Sequence, residues 1–222
     1  MKRRRVWFGA GALVAAGVLG SLGAAPAVAS KASDTQIAEA GLLVQSDFPA
    51  GWTSTPRDTS SDASIEKTAK KIPVCAEYLA LRVANDRQAN VQSPAFELGQ
   101  SQIDNTVTVF PTVAGAAAAM KTFSRPSIVK CISALFTKVA APATVKVSRA
   151  DIEPIADGTT AYEGTVTVTE GGEKTTLGVG VAAVRTDRGV AVYSYTVSST
   201  TVLQLLPSLV DASVARLTAA LA

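Results

Sequence analysis

The clearest pattern along the chain is an alternation of apolar and polar residues with a period of two. Such alternation is typical of strands that bury one face. Residues 103–110 and 159–169 show it, and six segments are predicted as strands in all, at residues 95–99, 103–110, 145–152, 159–169, 174–185 and 190–197. Short turns that contain glycine follow the fourth and fifth segments. We therefore expect the last four strands to form an antiparallel meander.

Other segments carry apolar residues at helical spacing. The helices predicted in this way begin near Asp34, Pro73, Thr112, Pro126 and Ser199. In the fourth helix the apolar side chains fall on one stripe, at Ile128, Cys131, Ile132, Leu135 and Val139. Helices and strands together predict an α+β fold: a mostly antiparallel twisted sheet of about six strands, flanked by helices as an α/β sandwich.

Residues 53–71 fit neither pattern. They are rich in Ser, Thr, Asp and Lys, and Ile65 is their only large aliphatic residue. We expect a long mobile loop here, between Trp52 on one side and the helix of Cys75 on the other. Such a loop is either a lid over a binding cleft or an inert linker.

The amino-terminal end of the chain has the features of a secretory signal. Four basic residues at 2–5 precede an apolar run over 6–22, and a small-residue motif ends at Ala27 and Ala29. We expect cleavage after Ala29, which makes residues 1–29 a signal peptide and residues 30–222 a single extracytoplasmic domain. The alternative is a retained transmembrane anchor. After cleavage the mature protein is expected to be secreted to the cell wall or beyond, without stable membrane insertion.

The charge balance argues against nucleic acid as a partner. The chain has 21 basic and 18 acidic residues, but four of the basic residues lie in the predicted signal peptide. The mature domain therefore has 17 basic residues against 18 acidic ones. It lacks the bulk positive field that draws proteins to nucleic acid or to anionic lipid.

Cys75 and Cys131 are the only cysteines in the chain. In an oxidising compartment an even pair predicts a disulfide bond, and the alternative is two buried free thiols.

Residues for catalysis are scarce. The chain has no histidine, which removes Ser-His-Asp and Cys-His catalysis as well as His-ligated zinc. Two cysteines alone do not complete a metal site, so we expect no metal, no cofactor and no enzyme activity. One weaker alternative is a hydrolase that uses Ser127 and Lys130 in an S-x-x-K pattern. Another is a carboxylate pair of Asp151 and Glu153 on one strand face, with Glu163 near it.

Several motifs resemble those of actinobacterial extracellular sensor domains. Residues 41–52, GLLVQSDFPAGW, are similar to the opening of these domains, where a leucine-rich helix ends at a D-[LF]-P-x-G-W turn. Cys75 at the start of a helix, the strand TVTVF before an Ala-rich helix, and Cys131 on the next helix agree in outline. The chain thus resembles the PknH-like extracellular domain family. That resemblance implies a non-catalytic α/β sandwich with a ligand cleft beside the sheet. Unlike the kinase sensor domains, this chain carries no kinase, no lipobox, and one cysteine pair instead of two.

The predicted function is that of an exported, non-catalytic, sensor-like module that binds a ligand or partner at the bacterial cell envelope or exterior. The expected partner is a small molecule, a lipid or an envelope protein, and the domain is expected to be a monomer. The binding residues are expected beneath the 53–71 loop: Trp52, Tyr162, Tyr193 and Tyr195, with the three tyrosines on one face of the meander. The alternative is that the three tyrosine rings pack in the core against the terminal helix. The competing functions are a small secreted hydrolase and a purely structural envelope protein.

Overall fold

The computed structural model describes residues 31–56, 59–139, 143–170 and 173–222. The predicted signal peptide and its cleavage site after Ala29 lie outside these residues. So do residues 171 and 172, which were expected to form a hairpin turn.

The centre of the fold is an antiparallel sheet of eight strands. Their bounds are β1 (Thr53–Thr55), β2 (Ala89–Gln92), β3 (Ala95–Leu98), β4 (Ser101–Val109), β5 (Thr144–Ala150), β6 (Gly158–Glu170), β7 (Glu173–Thr186) and β8 (Gly189–Val197). The order across the sheet is β1-β3-β4-β8-β7-β6-β5, and β2 pairs with β4 beside β3. The predicted fold class and the meander are confirmed. The strand number is corrected from about six to eight, because β1 and β2 are short polar strands.

Helices lie on both faces of this sheet. Their bounds are α1 (Lys31–Ala40), α2 (Thr59–Ala69), α3 (Ala76–Asp86), α4 (Val113–Phe123), α5 (Pro126–Val139), α6 (Thr200–Leu203) and α7 (Leu206–Leu221). Two of the predicted helix starts are confirmed by side-chain caps. Thr112 Oγ1 accepts a hydrogen bond from Gly115 N at 3.1 Å, and Ser199 Oγ accepts one from Val202 N at 3.4 Å.

The first face of the sheet packs against α1 and α7. Its core includes Ala38 of α1, Leu209, Val214 and Leu217 of α7, and the inward side chains of the central strands. Thr200–Leu221 is also long and apolar enough to pass for a membrane span by length and composition. The buried residues on one side of α7 pack against this core, which is the arrangement expected of an amphipathic core helix.

A buried polar network joins this face to the turn that follows α1. Asn105 of β4 accepts a hydrogen bond from Leu43 N at 2.9 Å and donates one to Gly41 O at 3.0 Å. Ser213 of α7 also donates to Gly41 O, at 2.6 Å, and accepts from the Tyr193 hydroxyl at 2.7 Å. Backbone groups that have no partner in a helix or strand are satisfied here, so the turn is held against both the sheet and α7.

The second face of the sheet packs against α3, α4 and α5. Its core contains Met120 and Phe123 from α4, Ile128 and Ile132 from α5, and Tyr162 from β6. Leu81 of α3 packs against this cluster from the side. The Tyr162 hydroxyl donates a hydrogen bond to Phe123 O at 2.6 Å, which fixes the end of α4 on the sheet.

The disulfide prediction is confirmed. Cys75 and Cys131 are bonded and fully buried, with their Cα atoms 4.8 Å apart. The bridge ties the start of α3 to the middle of α5, as the helical stripe around Cys131 suggested. Ala69 and Leu135 complete a small apolar cluster around the bridge.

The expectation of a mobile loop over residues 53–71 is wrong. These residues form strand β1, which pairs with β3, and helix α2. On α2, Ala69 is buried in the cluster around the disulfide and Ile65 packs against it. Because these two residues lie four positions apart, they fall on one side of the helix and pack it against this cluster, although most of its other residues are polar.

Candidate functional site

A groove runs between α3 and α4 on the second face of the sheet. Its volume is about 350 Å³, at the low end of the range for ligand sites. The walls are apolar and consist mostly of alanine: Ala80, Leu81 and Ala84 from α3, Ala118 and Ala119 from α4, and Phe110 at the end of β4. The groove exists because small side chains on the facing sides of the two helices leave the space between them unfilled.

One end of the groove is polar. Arg125, in the turn after α4, donates a hydrogen bond to Glu77 Oε1 at 2.6 Å, and both residues line the groove. Ser127 Oγ donates to the other carboxylate oxygen of Glu77. These hydrogen bonds, first from Ser127 and then from Arg125, hold the pKa of the Glu77 carboxyl below its ordinary value. The negative charge of Glu77 is therefore kept and is paired at the rim.

Below the groove is a small cavity of about 20 Å³ that reaches the sheet. Asn85 at the end of α3, with Leu81 and Ala119, lines both the groove and this cavity. The floor is formed by side chains of β7 and β8, Ala183 and Val192 among them. The site therefore has an open apolar body, a charged rim and one amide at its base.

The aromatic residues predicted to bind a ligand do not form one site. Tyr162 pairs with Val181, whereas Tyr193 pairs with Ala182. Because neighbouring residues of β7 point to opposite faces, Tyr162 lies on the second face and Tyr193 on the first. The expectation that the three tyrosines share a face is wrong.

Each of these aromatic residues has a place in the packing of the fold. Trp52 is buried in the core of the first face, with its ring centroid 5.0 Å from that of Phe48. Tyr193 is buried there too, and burial raises its pKa above the ordinary value. Tyr195 is half-buried and lies over Gly180, where any side chain would collide with the tyrosine ring. Burial, and then the charge of Glu163, raises the pKa of Tyr195.

The residue pairs considered for a hydrolase do not converge. The Ser127 hydroxyl is bonded to the Glu77 carboxylate, and the side chain of Lys130 is exposed. Asp151 and Glu153 are both exposed and follow the end of β5, so they do not share a strand face as expected. In the described part of the chain, no group of three or more Asp, Glu, Cys or His residues is placed to hold a metal ion.

The sequence predicts the helices that form the groove, but its pattern does not reveal the groove itself. The sequence does indicate one of the two small-residue walls, because α4 is an Ala-rich helix. On α3, Ala80 and Ala84 are one turn apart and supply the other small wall. Nothing in the local pattern of either helix indicates that these two faces lie opposite each other.

Comparison with known proteins adds a loose structural likeness. No protein-family model and no curated protein sequence matches the chain. The structure is similar to the crystal structure of the extracellular domain of PknH from Mycobacterium tuberculosis, with 13% sequence identity and a TM-score of 0.44. The alignment covers 81% of this chain and 95% of that chain. A likeness at this level transfers no ligand, site or activity to this chain.

Proposed function

We propose that this protein is an exported, non-catalytic binding module and that the groove between α3 and α4 holds its ligand. The ligand is a small molecule with an apolar body. The observation that carries the proposal is the groove itself: an apolar space of about 350 Å³ with a few polar groups at its ends. Small-molecule sites have this composition, since apolar walls supply affinity and a few polar groups fix orientation.

The surroundings of the groove support this role because they make its walls rigid. The Cys75–Cys131 bridge anchors the start of α3, and the Tyr162–Phe123 hydrogen bond anchors the end of α4. The Glu77–Arg125 ion pair spans the rim between them. A site whose walls are fixed before binding loses less conformational entropy when the ligand enters.

The polar groups at the rim support binding over catalysis. The hydroxyl of Ser127 donates to a carboxylate whose pKa is lowered, so Glu77 is a poor base for activating that hydroxyl at neutral pH. The chain contains no histidine that could take over the role. The proposal of export rests on the basic and apolar pattern of residues 1–29, and a buried disulfide is consistent with an oxidising compartment.

Native mass spectrometry of the protein purified from its own culture medium tests this function. The variants to compare are Ala118→Trp, which fills the groove, and Ala117→Trp, its neighbour on α4. Both alanines are exposed, but only Ala118 lines the groove.

We expect the wild type and Ala117→Trp to retain a small molecule that Ala118→Trp has lost, with equal helix content in all three by circular dichroism. Equal retention in the two variants would place the ligand elsewhere. Absence of any bound molecule from all three would favour a structural envelope protein.

A further inference from the structure

Asn85 carries an unused hydrogen-bond acceptor. Among the described residues, its Oδ1 atom is the one buried side-chain polar atom without a hydrogen-bond partner. Buried polar atoms in folded proteins are nearly always bonded, because an acceptor taken out of water without a partner weakens the fold. An exception inside a candidate binding site calls for a functional explanation.

The cavity at Asn85 is poorly suited to a water molecule. Its volume of about 20 Å³ has room for one water. The other side chains that line it are all apolar: Leu81, Ala119, Met120, Phe123, Ala183, Val190 and Val192. A buried water needs two to four polar partners, and among the described side chains that line this cavity Asn85 is the only polar one. The cavity therefore suits a small group that brings one donor on an otherwise apolar body.

Asn85 also borders the groove above this cavity, so one residue faces both spaces. The terminal torsion of an asparagine side chain has a broad energy well, which lets the amide turn its oxygen toward a ligand at little cost. The opposite end of the groove holds Glu77 and Arg125, which are already paired with each other. The acceptor without a partner is thus at the Asn85 end.

We infer that Asn85 determines the specificity of the groove by accepting a hydrogen bond from the ligand. The ligand class is an apolar chain or ring that ends in a hydroxyl or N–H donor, with the donor end at Asn85. This inference rests on the proposed function of the groove and adds the chemistry that the ligand must carry. A molecule of the same shape without a donor would leave the amide oxygen unbonded and would bind more weakly.

Two isomeric probes separate shape from hydrogen bonding. 1-Hexanol and methyl pentyl ether have the same composition and chain length, but only the alcohol has a donor. Their affinities are measured by NMR titration against the wild type, Asn85→Leu and Asn85→Ala. We expect the wild type to bind the alcohol about tenfold more tightly than the ether. In both variants the ratio of the affinity for the alcohol to the affinity for the ether should fall to about one. The alanine variant guards against the possibility that the larger leucine side chain blocks the groove by its size.

The outcomes distinguish this inference from the function on which it rests. If both probes bind the wild type in the groove with equal affinity, the groove binds ligands but Asn85 does not select them. A preference for the alcohol that persists in both variants also overturns the inference. If neither probe binds the wild type, the proposed function fails together with it.

Discussion

Arg125 and Glu77 form an ion pair at the rim of the groove, with 2.6 Å between Nη1 and Oε1, although they lie 48 residues apart in the sequence. The pair joins α3 to the turn between α4 and α5. Ser127 donates a second hydrogen bond to the same carboxylate from the first turn of α5. Two helices, α3 and α5, and the turn between α4 and α5 thus meet at one carboxylate.

The ionisation of Glu77 predicts that the stability of the fold depends on pH. Its pKa is lowered in the folded state, so its contribution to stability is present above its ordinary pKa of 4.5 and is lost as the pH falls through the folded-state pKa. We expect Ser127→Ala, which removes the largest cause, to raise the pKa of Glu77 toward the ordinary value. A carboxyl ¹³C NMR titration measures this directly. Identical titration curves in the wild type and the variant would show that the Ser127 hydrogen bond has no effect on the charge of Glu77.

The disulfide should contribute strongly to stability. Its two cysteines are 56 residues apart, and closing a loop of that length stabilises the fold by about 4 kcal/mol in the chain-entropy model. We expect the double variant Cys75→Ala/Cys131→Ala to lose a free energy of unfolding of this order, measured in urea. Because both cysteines are fully buried, reduction should require denaturant. Thiols that react with an alkylating agent in the native, unreduced protein would contradict this account.

The network around Asn105 predicts a second stability effect. Replacing Asn105 with Ala leaves Leu43 N without a partner and removes a bond to Gly41 O, so we expect a loss of about 2 to 4 kcal/mol in the free energy of unfolding. Gln102 lies on the same strand but is exposed, and Gln102→Ala should change stability by less than about 0.5 kcal/mol. Similar losses in the two variants, measured by chemical denaturation, would argue against the network.

The buried hydroxyl of Tyr193 should make the fold less stable at alkaline pH. Burial raises its pKa above the ordinary value of 10.0, and the neutral hydroxyl donates to Ser213. The raised folded-state pKa means that its contribution is complete below pH 10 and is lost as the pH rises through the folded-state value. Above pH 10 we therefore expect the wild type to lose stability more steeply than Tyr193→Phe, in urea denaturation at several pH values. Parallel slopes would mean that Tyr193 ionises freely in the folded protein.

The meander and most helices can be predicted from the sequence alone, because their patterns of apolar residues extend over many positions. The strands β6 and β7 each span more than ten residues, and the stripe around Cys131 covers three turns of α5. By contrast, β2 has four residues, two of which are Asn90 and Gln92. Its pairing with β4 comes from tertiary contact, which a pattern of four residues does not reveal.

Residues 53–71 show how a helix can be hidden by its composition. On α2, Ile65 and Ala69 make the apolar contacts with the cluster around the disulfide. Most of the remaining residues of α2 are Ser, Thr, Asp, Glu or Lys, so the segment carries no helical pattern of apolar residues. The mean polarity of these residues favours a loop, whereas two apolar residues on the same side of α2 pack in the cluster around the disulfide.

The faces on which Tyr162 and Tyr193 lie are decided by the strand register between β6, β7 and β8. Glu170 pairs with Glu173 and Thr186 pairs with Gly189, so two residues of the sequence separate the paired residues in each case. These separations place Tyr162 opposite Val181 and Tyr193 opposite Ala182, on alternate faces of β7. The faces could therefore be derived from the sequence once these separations were assigned. The groove could not, because it depends on how α3 and α4 pack against each other.

The most direct test of a ligand groove between α3 and α4 is methyl NMR of the wild-type protein titrated with 1-hexanol. Leu81 and Ala118 line the groove, whereas Leu209 and Leu217 are buried on the first face of the sheet. The account predicts saturable shifts of the Leu81 and Ala118 methyl signals, with Leu209 and Leu217 unmoved. Saturable shifts confined to Leu209 and Leu217, or no saturable shift at any of the four, would contradict it.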